Sequence, residues 1–302
     1  MPASRSEGRA PFGEFETWYE VVGELPSGAQ AGPAPLILLH GGPGATHDYL
    51  SPLAELATDG RAVVFYDQLG NGRSTHLPSR GADFWTVQLF VDELASLLLY
   101  LGIAGRYHLL GQSWGGFLAQ EHALTQPPSL RSLVISNSAA SFPAFAAAAN
   151  RLRADLPPQV EATLRRHEQA GTTDDPEYAA ACDVFYHRHL CRLDPWPDGV
   201  TEGLAQIDVD PTVYHTMNGP SEFHVIGSIK DWSVADRLGE IKVPTLIVSG
   251  EFDEATPELQ ETLSRGIEGS ERVLLENCSH LPFWEEPGRY LEVIESWLRR
   301  HD

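Results

Sequence analysis

The sequence predicts an α/β fold: a mostly parallel central sheet with helices on both faces, interrupted once by a helical insertion. Three observations carry that reading. Short apolar runs alternate with helical spacing through the first 138 residues. Residues 139–192 are rich in Ala, Arg, Glu and Leu and carry no strong β run. Strand-like runs then return after about residue 235. Strand, helix and strand joined by short connections make a parallel sheet that is covered on both sides. The expected organisation is a core at 1–138, a helical cap at 139–235 and the rest of the core at 236–302.

Each element has its own signal. Leu36–Leu39 (LILL), Ala62–Tyr66 (AVVFY), Tyr107–Leu110 (YHLL) and Leu133–Ile135 (LVI) read as buried strands. Between the second and third, Val87, Phe90, Val91, Leu94, Leu97, Leu98 and Leu101 recur at helical spacing, and Gly102 is the expected stop. Pro157–Pro158 and the run Gly171–Pro176 punctuate the insertion as helix breaks. Thr245–Ser249 (TLIVS) and Arg272–Leu275 (RVLL) resume the strands. A last helix near Arg289–Arg299 carries Leu291, Val293, Ile294 and Trp297.

Composition narrows the function classes. The chain has 302 residues, 42% hydrophobic and 21% charged, which excludes disorder or coiled coil as the main state. Against 42 acidic residues stand 21 basic ones, a formal charge of −21. Such a surface repels phosphate backbones, so nucleic acid is not an expected partner. No window reaches the length of a membrane span and no signal peptide is apparent, so no membrane partner is expected. The three cysteines, Cys182, Cys191 and Cys278, lack metal spacing and cannot build a disulfide framework. A reducing, cytoplasmic setting is therefore expected. His187, His189 and Cys191 alternate within a helix-like run, without carboxylate support, and read as structural.

The strongest chemical signal is Gly111-Gln112-Ser113-Trp114-Gly115-Gly116, which directly follows the strand YHLL. A G-x-S-x-G run in strand–turn–helix context exposes the serine hydroxyl on a sharp turn at a helix N-terminus. Serine needs a positioned base. Asp253 follows strand TLIVS and His280 follows strand RVLL, in the chain order Ser, acid, His. All three would then lie beyond the carboxyl ends of parallel strands, where open α/β sheets build their sites. Asp48, Asp67, Asp231 and Glu251 are less well placed. His40-Gly41-Gly42-Pro43-Gly44 follows the first clear strand, and its glycines let backbone approach a substrate. One N–H from this loop, with that of Trp114, would serve a developing oxyanion.

HGGPG (40–44), DQLGNGRS (67–74) and GQSWGG (111–116) together resemble the proline iminopeptidases of the α/β-hydrolase superfamily. The resemblance covers essentially the whole chain. Met217–Phe223 (MNGPSEF) is similar to the branch containing the tricorn-interacting aminopeptidase and the L-proline-amide and L-amino-acid amide hydrolases. Leu69 stands where the family's commoner motif has Arg, which suits that branch and argues against strict proline specificity. The resemblance implies an α/β-hydrolase fold with Ser113 as nucleophile, His280 as base and then acid, and Asp253 as the orienting carboxylate. It implies an oxyanion hole from the Gly42 and Trp114 N–H groups. It also implies that Glu222 and Glu254 bind the free α-amino group of a substrate.

The expected function is cleavage of the amide bond after an N-terminal residue with a free amino group, through an acyl-enzyme. The substrate would be a small peptide or amino-acid amide, with proline or small apolar residues favoured. No metal or organic cofactor is required by this chemistry. A buried carboxylate pair suits an ammonium because charge-assisted hydrogen bonds strengthen away from water. Two other functions are weighed: an esterase, lactonase or amidase for uncharged substrates, and a non-catalytic binding protein on the same shell. Trp114, Phe117, Phe223, Trp232, Phe283 and Trp284 lie near the motifs and read mainly as core.

Overall fold

The computed structural model describes residues 3–26 and 32–302. Eight strands form one sheet in the order β1-β2-β4-β3-β5-β6-β7-β8. They are β1 (Arg5–Phe12), β2 (Phe15–Val22), β3 (Leu36–Leu39), β4 (Val63–Tyr66), β5 (Tyr107–Gln112), β6 (Leu130–Ser136), β7 (Thr245–Gly250) and β8 (Glu271–Leu275). From β4 to β8 every pairing is parallel. The antiparallel hairpin β1–β2 extends the sheet past β4. No strand was expected there. Its first strand, RSEGRAPF, lies at the sheet edge and is mostly exposed, so it has no hydrophobic alternation to read.

The core strands behave as two-faced walls. Along β3, Ile37 and Leu39 join one apolar cluster while Leu36 and Leu38 join the other. The first cluster holds Phe90, Leu94, Leu97 and Leu98 of helix α1 (Val87–Tyr100). The second holds Ile294, Trp297 and Leu298 of the C-terminal helix α10 (Pro287–His301). Alternation puts successive side chains on opposite faces, so a strand covered on both sides reads as an unbroken apolar run. Helix α1 starts where Thr86 accepts from the Leu89 N–H, and Gly102 follows its end with φ +70°.

Between β6 and β7 the chain runs through α3 (Phe142–Arg153), α4 (Pro158–Ala170), α5 (Pro176–His189), α6 (Asp198–Val209) and α7 (Thr212–Met217). The expected breaks fall between α3 and α4 and between α4 and α5. A third apolar cluster, with Leu156, Leu164, Tyr178, Phe185 and Phe223, lies within this segment. Arg153 ties it together by pairing with Glu161 at 2.6 Å and Glu168 at 2.7 Å. His189 Nδ1 engages the Phe252 carbonyl at 2.9 Å and His187 packs on the Trp196 ring. The remaining α-helices among the described residues are α2 (Trp114–Leu124), α8 (Pro257–Gly266) and α9 (Pro282–Glu285).

Candidate active site

The site forms where the chain reverses direction across the sheet. From β3 it steps one way to β4 and the other way to β5, and such a switch opens a crevice beyond the strand ends. Gly41, just past β3, and Ser113, just past β5, lie against each other there.

Ser113 sits between β5 and helix α2 (Trp114–Leu124) with φ +55° and ψ −124°. A non-glycine residue rarely holds such a backbone, and strain of this kind collects at functional turns. The flanking glycines make the turn possible. A Cβ on Gly111 would run into the Gly115 carbonyl, and one on Gly115 into the Leu39 carbonyl. Trp114 opens α2, so its N–H has no acceptor within the helix. Gly42, at φ +109°, turns the HGGPG backbone in a way that L side chains disfavour.

A hydrogen-bond network fixes the two loops against each other. The Gly41 N–H donates to Tyr49 Oη at 2.6 Å, and Tyr49 donates to Gln112 Oε1 at 2.6 Å. Gln112 Nε2 donates to the His280 carbonyl at 3.1 Å. On the other side, the indole N–H of Trp114 donates to Gln68 Oε1, Gln68 Nε2 donates to the His40 carbonyl, and the Gln68 N–H donates to His40 Nε2. Burial lowers the His40 pKa to about 4, which keeps that nitrogen an acceptor. The DQLGNGRS segment thus acts as a brace for the elbow and the glycine loop. Leu69 itself is buried in the core and does not line the pocket. Its side chain therefore makes no direct contact with the pocket.

His280 and Asp253 meet at the ends of β8 and β7. His280 Nδ1 lies 2.7 Å from Asp253 Oδ1, so the proton is on Nδ1 and donates to the carboxylate. The Ala255 N–H also donates to Oδ1, at 2.9 Å, and Asn137 Nδ2 donates to Oδ2 at 2.7 Å. Asn137 follows β6 with φ +51°. Nothing in the sequence singled it out, because a lone Asn after a strand is common. Ser113 and His280 share a pocket wall rather than a hydrogen bond.

Glu254 and Glu222 line that same pocket, as do Gly42 and Ser113. Glu254 is buried, and neither carboxylate oxygen has a hydrogen-bond partner among the described residues. Its Oε1 stands 3.6 Å from His280 Nε2. Glu222 comes from the loop after α7 and accepts from the Tyr214 hydroxyl at 2.6 Å. Burial raises the pKa of both glutamates. Burial alone would lower that of His280, but the carboxylates of Asp253, Glu254 and Glu222 outweigh it and push it up to about 9. These shifts describe one cluster that holds protons more tightly than its separate members would.

The pocket is small, about 40 Å³, which is room for ~3 waters. Its apolar wall is Ala45, Leu190, Leu204, Ile207 and Leu281. Beyond Leu190, Leu204, Ile207 and Glu222 lies a wider cleft of about 830 Å³. Six aromatics weighed from the sequence are absent from the pocket wall. Phe117 stacks on Phe142 and meets Trp232 edge-on, Phe223 lies in the third cluster, and Trp284 donates to the Tyr49 carbonyl.

Residues 34–287 match the α/β-hydrolase fold family. A proline iminopeptidase of Saccharolobus solfataricus is 41% identical over 87% of this chain and 84% of its own. Among solved structures, the proline iminopeptidase of Mycobacterium smegmatis is 48% identical, covers 98% of both chains and superposes with a TM-score of 0.89. The structure of VinJ is 51% identical over all of both chains, with a TM-score of 0.95. The chain belongs to the proline iminopeptidase family of α/β-hydrolases. Family membership makes it a hydrolase, and the eight-stranded sheet is the family's fold. Among the described residues no helix is long and apolar enough to cross a membrane.

Proposed function

We propose that this hydrolase removes an N-terminal residue bearing a free α-amino group from a small peptide or amino-acid amide. One observation carries the reading: a buried carboxylate, Glu254, with both oxygens unpartnered, in the pocket that holds Ser113. Leaving such a group unpaired is costly, so the site is built for a cation that arrives with the substrate. Glu222, fixed by Tyr214, supplies the second acceptor.

In this mechanism Ser113 attacks the first carbonyl while His280 accepts the hydroxyl proton. Asp253 holds the imidazole in the tautomer that leaves Nε2 free to accept. The Gly42 and Trp114 N–H groups receive the oxyanion. His280 then protonates the leaving amine, and water, activated by the same imidazole, releases the acid. Catalytic hydrogen bonds often tighten only when substrate is bound, which suits the open contact between Ser113 and His280. The small apolar wall favours proline and other compact side chains. Residues 139–235 act as the cap, because Leu190, Leu204, Ile207 and Glu222 from that span complete the pocket. The cytoplasm is the compartment we assign, supported by three buried free thiols.

The test is a panel of aminoacyl arylamides and amino-acid amides, each with free and N-acetylated amines. The free-amino member of each pair should be preferred by about 30-fold or more, the loss expected when a desolvated charge pair is broken. Equal rates on both members would sink the assignment and favour an esterase or amidase for uncharged substrates.

A further inference from the structure

We propose that Glu254 is also a lock on the general base: its contact with His280 Nε2 keeps the imidazole protonated until a substrate ammonium takes over as the counter-ion. The inference rests on the function proposed above and adds a regulatory step to it.

Charge balance in a buried volume carries the argument. Three carboxylates, Asp253, Glu254 and Glu222, meet in or beside one pocket. Asp253 is fully engaged by His280, Ala255 and Asn137. Among the described residues no lysine or arginine pairs with Glu254, whose nearest cation is His280 Nε2 at 3.6 Å. That nitrogen is the one that must be bare to accept the Ser113 proton. Before substrate arrives, imidazolium is the available positive charge in the cluster, and a low-dielectric site holds it there. The other titratable groups around His280 do not replace it. Burial raises the phenols of Tyr49, Tyr186 and Tyr214, which stay neutral, and burial lowers the pKa of His189, whose carbonyl accepts the His280 N–H.

A substrate ammonium between Glu222 and Glu254 changes that balance. It brings its own positive charge to within reach of Glu254. The Nε2 proton then passes to water, and the bare nitrogen faces Ser113. Recognition of the free amine therefore acts on turnover as well as on binding. A substrate without an amine finds the base still protonated.

The experiment uses p-nitrophenyl acetate, which has no amine, and follows kcat/KM against pH for the wild type and Glu254→Gln. The wild-type rise should have its midpoint near pH 9, where the surrounding carboxylates hold His280. The variant's should lie at least about one unit lower, making it ~10-fold faster at pH 7. Ammonium chloride should stimulate the wild type at pH 7 relative to equal sodium chloride, and leave the variant unchanged. The ammonium arm needs no variant, so it stands even if Glu254→Gln folds poorly. Coincident midpoints, or no ammonium stimulation of the wild type, would overturn the lock. If free-amine preference persists while the lock fails, the proposed function survives. If wild type treats free and acetylated amines alike, the function itself has failed.

Discussion

Asp253 and Glu254 are neighbours in the chain, equally buried, and treated in opposite ways. Both are 1% exposed. Asp253 accepts from a ring N–H, a backbone N–H and a side-chain amide. Glu254 accepts from nothing among the described residues. The satisfied carboxylate is part of the scaffold, because its energy is already secured in the fold. The unsatisfied one is, in the function proposed above, the acid that a substrate ammonium completes. Burial alone does not separate a structural acid from a binding acid, whereas the count of partners does.

The largest expected effects come from the satisfied side. Ser113→Ala should abolish turnover while leaving the fold intact, since the side chain stands on a turn. Asp253→Asn should cut kcat by ~10⁴, because an amide can no longer fix the Nδ1–H tautomer. Steady-state kinetics with a thermal melt on each variant checks both. If Asp253→Asn costs less than tenfold, the contrast between the two acids loses its catalytic half.

Glu254→Gln should behave differently. At pH 7 it should lower kcat/KM on free-amino substrates by about 30-fold or more and raise it ~10-fold on substrates without a free amine, N-acetylated ones included. It should also change how stability depends on pH. In the folded state the neighbouring carboxylates raise His280 from 6.5 to about 9. The stability this proton contributes is fully present below 6.5 and is lost as pH rises through about 9. Glu254→Gln removes one of those carboxylates, so the fall in Tm between pH 6.5 and 9 should be shallower in the variant than in the wild type. Equal falls would mean that Glu254 does not hold the His280 proton.

How legible the molecule was follows the same division. Ser113, Asp253 and His280 were readable as candidates because each follows an apolar strand and the chemistry expects them in that order. The strands themselves were readable because burial on both faces leaves unbroken apolar runs such as LILL and VVFY. The β1–β2 hairpin was not, since an edge strand needs no such run. Glu222 and Glu254 were reached through motif resemblance alone; by composition they are two acids among 42. Gln68, Tyr49 and Asn137 were invisible, because their importance lies in long-range hydrogen bonds that no local pattern records.

Asn137 tests that last point. Its amide is the donor to Asp253 Oδ2, and it also reaches the Ser279 carbonyl at 3.2 Å. Asn137→Ala should leave a buried carboxylate oxygen unpaired, at a cost of about 1–3 kcal/mol shared between stability and catalysis. Loss of that donor also frees the carboxylate that orients the His280 ring, so kcat should fall with KM nearly unchanged. Asn137→Asp places a second carboxylate there and should be worse than Ala. A purely packing role would lower Tm without lowering kcat.

The smallest effect is expected at Tyr214. Its hydroxyl donates to Glu222 at 2.6 Å, and this bond favours the charged carboxylate against the burial that raises its pKa. Tyr214→Phe keeps the ring and the Cβ that packs against Gly44, and removes only the donor. A hydrogen bond to a charged group contributes roughly 1.5–3 kcal/mol, and part of that is recovered here because a substrate ammonium can still pair with Glu222. KM for free-amino substrates should therefore rise about fivefold or more with kcat nearly unchanged. Glu222 should hold its proton to higher pH, so the KM penalty should be greatest on the acid side and shrink as pH rises. An unchanged KM at low pH would place Glu222 outside the ammonium site and leave Glu254 as the sole unfinished acid.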